Sequence, residues 1–120
     1  MLPRSPMAAG QARRVTGTLC RAACLDDDLC DTAVLLTSEV VTNAVLHGRS
    51  PSCLSVAASE LGVRVEVEDD SSRWPVQRQQ GDSAALDGRG ILLLETIATS
   101  WGVLPGHAGG KVVWFEVNAP

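Results

Sequence analysis

The sequence predicts an α+β domain, in which helices cover one face of a mixed, mainly antiparallel sheet. Two long stretches have the residue spacing of helices. Residues 63–68 alternate strictly between valine and a charged side chain, which is typical of a strand with one buried face. Near the end of the chain, glycines at 106, 109 and 110 separate two further strand-like segments. Helices packed on one side of such a sheet form a two-layer α/β sandwich.

The first half of the chain predicts two helices. The first runs from about Ala8 to Ala23, where apolar residues recur every three or four positions. The second runs from about Asp28 to His47. It follows an acidic cluster whose carboxylates can cap free N–H groups, and it ends before Gly48.

The second half predicts a hairpin, a long loop, a short helix and a second hairpin. Strands at 53–59 and 63–68 are joined by a turn at 60–62. Residues 69–87 are polar, and a loop of that length is often functional, for instance as a lid. A helix at 90–99 and strands at 101–104 and 111–117 follow. The order ααββαββ, without repeat or linker, indicates a single domain over residues 1–120.

Composition excludes several classes. The 120 residues include 10 basic and 14 acidic side chains, a net charge of −4, and no basic run that would favour nucleic-acid binding. The longest apolar runs are a few residues and the first residues lack a secretory apolar region, so we expect a cytoplasmic protein without a membrane span. The four cysteines lack Cys-x-x-Cys spacing, which favours small buried residues in a reducing compartment over a zinc site.

The second predicted helix carries a polar stripe. Glu39, Asn43 and His47 are four residues apart on an otherwise largely apolar helix. A buried carboxylate and amide are costly unless they are paired or bind a ligand, and their oxygens suit Mg²⁺. The alternative is a solvated face, or a hydrogen bond between Glu39 and Asn43 themselves.

Two other segments have ligand-binding character. Asp69 ends an apolar strand, a common ligand position, although aspartate there also favours a plain turn. Gly88-Arg89-Gly90 opens the predicted third helix, where backbone N–H groups can approach a phosphate, although a simple turn is the alternative. The chain has neither a P-loop nor a Gly-x-Gly-x-x-Gly motif.

In this order and spacing, the three segments resemble the motifs of the Bergerat-fold (GHKL) ATP-binding domains, which include gyrase, heat-shock chaperone ATPases, sensor histidine kinases and MutL. Residues 36–48, Leu-Thr-Ser-Glu-Val-Val-Thr-Asn-Ala-Val-Leu-His-Gly, resemble the N-box, and residues 65–71 and 88–94 look like the two glycine boxes. The closing Trp101-Gly102 and 110–114 hairpin is similar to that of small actinobacterial ATP-binding proteins of the anti-sigma-factor serine kinase type.

The resemblance implies a role for each matching position, with Mg²⁺ and ATP as cofactors. Asn43 would hold Mg²⁺ and through it the phosphates, Glu39 would be the general base, and Asp69 would accept a hydrogen bond from the adenine amino group. Ser71 stands where the first glycine box has its glycine. Gly88, Arg89 and Gly90 would cover the phosphates, and His47 would pack. Val112 stands where relatives often have a threonine whose hydroxyl supports the adenine-binding aspartate.

The resemblance also implies a function. It indicates an anti-sigma factor with serine/threonine protein kinase activity, which phosphorylates a small antagonist protein. The alternative is a non-catalytic, nucleotide-responsive module that sequesters a sigma factor or other regulator, and a domain without nucleotide is a third reading. The expected partners are a sigma factor or its antagonist, and relatives of this kind often form homodimers.

Overall fold

The computed structural model describes Leu2, Pro3, Ser5 and residues 7–47, 52–70 and 92–120. The helices are α1 (Met7–Ala22), α2 (Asp27–His47) and α3 (92–97), and the strands are β1 (Cys53–Ser59), β2 (Gly62–Asp69), β3 (Ser100–Pro105) and β4 (Lys111–Asn118). A short 3-10 turn, His107–Gly109, connects β3 to β4. The predicted order of helices and strands is confirmed, and no bound of α1, α2 or the strands differs from the predicted one by more than one residue.

The turn between the two long helices has a local physical cause. Cys24 adopts a left-handed backbone conformation with φ of 62°, and the N–H of Leu25 donates to the carbonyl of Cys20 at 3.2 Å, which closes the end of α1. Asp26 then caps α2, because its Oδ1 accepts the N–H of Leu29 at 2.8 Å. The acidic cluster therefore starts the helix, as the sequence predicts, with Asp26 as the capping residue.

Within the described residues, four strands form one sheet in the order β1-β2-β4-β3, and each of its three pairings is antiparallel. The central pair, β2 and β4, is in a register that places Asp69 opposite Lys111 and Val65 opposite Phe115. Leu2 forms an isolated antiparallel bridge with Ser52, just before β1.

The core lies between the helices and one face of the sheet. Val65, Val67 and Phe115 point to this side and are at most 1% exposed, and Leu36 and Val41 of α2 are fully buried. The opposite face is polar. There the guanidinium of Arg64 donates to Glu66 and Glu116, each at 3.0 Å, and lies 4.3 Å from the centre of the Trp114 ring. One covered and one open face make the two-layer sandwich that the alternating strands predict.

Helix α2 is a core helix, although residues Asp27–Leu46 are long and apolar enough, by length and composition, to pass a test for a membrane span. This stretch does not stand out as one apolar run in the sequence, because polar residues interrupt it. In the structure α2 contacts α1, β2 and β4, and its side chains Leu36, Val40 and Val41 are buried in the core, whereas Leu35 and Leu46 are exposed.

A pair of buried hydroxyls joins the two long helices. The hydroxyl of Thr37 donates to the carbonyl of Ala33 at 2.8 Å, and its oxygen lies 3.1 Å from the hydroxyl oxygen of Thr16. Both threonines are fully buried. Since the single hydroxyl hydrogen of Thr37 is used by Ala33, Thr16 must be the donor between the two threonines.

Candidate functional site

The polar stripe of α2 contains a buried oxygen without a hydrogen bond. Glu39 and Asn43 lie one turn apart on the helix, and both are half-buried. The Oδ1 atom of Asn43 is shielded from solvent and has no hydrogen-bond partner among the described residues. Leaving such an oxygen unpaired costs about 1–3 kcal/mol. An oxygen kept at this cost is well suited to a ligand that the protein binds.

This observation tests whether the stripe fits Mg²⁺. The ion prefers oxygen ligands, keeps several waters, and is usually held by one or two protein groups together with substrate phosphates. No group of three or more His, Cys, Asp or Glu side chains is placed to hold a metal in the described part of the chain. The unpaired amide oxygen of Asn43 thus fits a magnesium that nucleotide phosphates and water also coordinate.

At one end of the sheet, Asp69 and Lys111 form a buried ion pair. Asp69 is the last residue of β2 and Lys111 the first of β4, and the two are cross-strand partners. The ammonium of Lys111 donates to both carboxylate oxygens of Asp69, at 2.9 and 3.0 Å. The two side chains are only 2% and 7% exposed, on the same face of the sheet as Val67. A buried carboxylate therefore lies at this strand end, held by two charge-assisted hydrogen bonds.

The expectation that residue 112 is the one that could support Asp69 is wrong. Val112 pairs across the strands with Glu68, and the alternation of β4 directs it to the open face, whereas Lys111 is buried beside Asp69. The signal was present in the sequence. If Val113 and Phe115 are core residues, the same period of two also places Lys111 on the core side.

The turn after β3 is fastened to the same strand end. The Oε2 atom of Glu68 accepts the backbone N–H of His107 at 3.0 Å and lies 2.9 Å from its Nδ1, and these contacts hold the pKa of Glu68 below its ordinary value. At Gly110, an added Cβ would collide with the carbonyl oxygen of Asp69. The close approach of this turn to Asp69 therefore requires glycine at position 110.

The chain connection limits how far the end of α2 can lie from the strand end that carries Asp69. Helix α2 ends at His47, and β1 begins at Cys53, whose cross-strand partner is Glu68. Six residue steps span at most roughly 22 Å. The carboxyl end of α2, one turn beyond Asn43, therefore lies within that distance of the first residue of β1.

Several residues implicated by the sequence lie outside the described residues: Ser71, Gly88, Arg89 and Gly90, together with the side chain of His47. The cysteines divide into two kinds. Cys20 and Cys30 are buried, as the sequence predicts, but the same prediction is wrong for Cys24 and Cys53, which are exposed. Burial is the main cause that raises the pKa of Cys20 to about 11, and the neighbouring Cys30 contributes to the increase. Cys20 is therefore an inert thiol.

The fold and the site define a class of protein. A two-layer sandwich whose core helix has an amide oxygen without a partner among the described residues, and whose sheet has a buried carboxylate at a strand end, suits a nucleotide and its metal. Comparison with protein families agrees: the model of the histidine kinase-like ATPase domain matches residues 2–117, and the chain belongs to this family. No curated protein matches the sequence. Membership implies ATP binding, usually together with Mg²⁺.

Proposed function

We propose that this ATP-binding regulatory domain is a serine/threonine protein kinase that acts as an anti-sigma factor and phosphorylates a small antagonist protein. The observation that supports it most is the buried, unpaired Oδ1 of Asn43, one helical turn from Glu39. The stripe thereby combines a metal-binding oxygen with a carboxylate that can accept a proton. A kinase needs both groups close together.

The proposed reaction transfers the terminal phosphoryl group of ATP to a hydroxyl of the antagonist. The hydroxyl oxygen forms a bond to the γ-phosphorus, the bond from that phosphorus to the β–γ bridging oxygen breaks, and ADP leaves. The hydroxyl proton goes to the carboxylate of Glu39. Asn43 would hold Mg²⁺, which supplies neutralisation of phosphate charge when it is bound.

At the other side of the proposed site, Asp69 would accept a hydrogen bond from the adenine amino group. Gly88, Arg89 and Gly90 are proposed to cover the phosphates, with Ser71 near the base. These assignments depend on the motif resemblance, and the buried position of Asp69 at the strand end supports its part in them.

The biological role follows from what phosphorylation does to an interface. A phosphoryl group adds nearly two negative charges, which can break a contact between an antagonist and its partner. We propose a cytoplasmic setting, a sigma factor or its antagonist as the partner, and a homodimer as the assembly. Direct contact with nucleic acid is not part of the proposal, because the chain has a net charge of −4 and no basic run.

Two measurements test the proposal, nucleotide binding first and phosphoryl transfer second. Calorimetry with Mg-ATP measures binding by the wild-type chain, and γ-labelled ATP measures transfer to an antagonist that the chain captures from its host. Glu39→Gln should keep nucleotide binding and lose at least about 100-fold in transfer rate, as expected for a missing general base. Glu60→Gln, in the exposed turn between β1 and β2, is the matched control and should transfer at the wild-type rate.

The outcomes separate the alternatives. Nucleotide binding without transfer by the wild type would indicate the non-catalytic module that holds a sigma factor. Absence of Mg-ATP binding would contradict both readings, and transfer by Glu39→Gln at the wild-type rate would refute the assignment of the base.

A further inference from the structure

We propose that Lys111 is a positioning residue that sets the base preference of the nucleotide site, by presenting Asp69 as a fixed, charged hydrogen-bond acceptor. The inference rests on the proposed nucleotide site and adds to it a specificity-determining residue. It concerns the choice between purines that carry a 6-amino group and purines that carry a 6-oxo group.

The geometry of the pair is the first argument. Lys111 donates to Asp69 Oδ1 at 2.9 Å and to Oδ2 at 3.0 Å, and both side chains are almost completely buried. Two simultaneous bonds fix the plane of the carboxylate. A carboxylate has about four acceptor positions, so it can accept from a ligand as well as from an ammonium.

Lys111 also supplies the positive charge that keeps Asp69 a hydrogen-bond acceptor. A carboxylate taken out of water is costly without a compensating charge, and Lys111 supplies that charge at hydrogen-bond distance. With the ammonium in place, Asp69 is an acceptor only. An acceptor attracts the 6-amino group of adenine and repels the 6-oxo group of hypoxanthine or guanine, since two acceptors would face each other.

The surroundings give the third argument. Asp69 is the terminal residue of β2, with the turn at 106–110 fastened beside it through Glu68 and His107. The ion pair thus lies at the end of the two central strands and not midway along them, so a base bound at this end of the sheet would lie beside it. A pair that only stabilised the β2–β4 register would have no reason to change the ratio between two nucleotides.

The test compares the dissociation constants of Mg-ATP and Mg-ITP, which differ at the 6-position of the purine. Wild type should prefer ATP. Lys111→Met should weaken ATP binding about 10- to 100-fold, the loss expected for a charge-assisted hydrogen bond, and leave ITP nearly unchanged, so that the ATP:ITP ratio collapses. Lys111→Arg keeps the charge and a bidentate fork, and should keep most of the ratio.

Two further variants serve as a substitute for Lys111→Met and as a control. If Lys111→Met does not fold, Lys111→Gln carries the comparison, because its amide can still donate to Asp69 but brings no charge, and the ratio should again fall. Arg64→Met removes two partly exposed ion pairs on the open face of the same sheet, and should leave the ratio unchanged.

Failure of the inference about Lys111 can be told apart from failure of the proposed function. A wild-type ATP:ITP ratio in folded Lys111→Met or Lys111→Gln would overturn the inference while leaving the proposed function intact, and so would loss of the ratio in Lys111→Arg or in Arg64→Met. If the wild-type chain bound neither nucleotide, the proposed function itself would fail, and the inference with it.

Discussion

Replacement of Asn43 by alanine should make the ligand-free protein more stable while abolishing its response to Mg-ATP. Most substitutions of half-buried residues destabilise a protein, so the direction is informative. The reason is the Oδ1 atom, which is buried without a hydrogen bond. Its removal relieves about 1 kcal/mol or more, and alanine in mid-helix adds roughly 0.6 kcal/mol of helix propensity. Lost packing offsets part of this, which leaves a net gain of about 1 kcal/mol.

The gain converts to a melting-temperature shift that is easily measured. An unfolding entropy of about 2.1 cal/mol/K per residue amounts to ~0.25 kcal/mol/K for a domain of this size, so the melting temperature should rise by about 4 °C without nucleotide. Mg-ATP at about 100 times its dissociation constant should stabilise the wild type by ~2.7 kcal/mol, or roughly 10 °C, and Asn43→Ala by almost nothing. Differential scanning calorimetry, with EDTA and then with Mg-ATP, measures both effects.

A control on the same helix makes the result specific. Thr32 has its hydroxyl bonded to the carbonyl of Asp28 at 3.0 Å, so Thr32→Ala relieves no unpaired atom, and it should keep the full Mg-ATP response. The reasoning is refuted if Asn43→Ala melts below the wild type without nucleotide, or if it retains the wild-type shift with Mg-ATP.

Three further predictions concern the described contacts. Thr37→Val should lower the free energy of unfolding by about 1–3 kcal/mol, because the Thr16 hydroxyl loses its acceptor, whereas Thr16→Val should lower it by about 0.5–1.5 kcal/mol. Equal losses of stability in urea unfolding would contradict the assignment of Thr16 as the donor. The His107 contacts lower the pKa of Glu68, so they stabilise the folded state at pH values above the ordinary glutamate pKa, and this stabilisation is lost as the pH falls through the lowered pKa. The difference in unfolding free energy between wild type and Glu68→Gln should therefore shrink below about pH 4. A difference that stays constant between pH 7 and pH 3 would argue against this effect. At pH 8, iodoacetamide should alkylate Cys24 and Cys53 in the native protein and all four cysteines after unfolding, counted by mass spectrometry; rapid native labelling of Cys20 would show that its thiol is accessible.

The fold could be predicted closely because local signals agreed with one another. The acidic cluster starts α2 at a capping aspartate, and the alternation of residues 63–68 corresponds to a strand with one buried face. The same consistency explains the correct order of helices and strands. Sequence reasoning took Asp26 as part of a cluster and not as the specific cap, because a single hydrogen bond decides between neighbouring carboxylates.

The site was less predictable, because it depends on side chains that meet across strands and on buried atoms without a partner. Nothing in the sequence shows that Asn43 Oδ1 has no partner among the described residues, since the stripe taken alone favours a solvated face or an Asn–Glu bond along the helix. The motif resemblance points to residue 112, where relatives often have a threonine, and does not indicate Lys111. The β2–β4 register, which decides which side chain lies beside Asp69, emerges only when the strands are paired.

Three carboxylates, Asp69, Glu68 and Glu39, differ in their contacts, and these contacts bear on which of them suits the role of general base. Asp69 is buried, and both of its oxygens accept hydrogen bonds from the ammonium of Lys111. Glu68 has its Oε2 committed to the turn at His107, and its lowered pKa makes it a weaker proton acceptor. Glu39 is half-buried and lies one turn from the unpaired oxygen of Asn43. In the proposed reaction, Glu39 takes the proton from the attacking hydroxyl, and Asp69 binds the adenine.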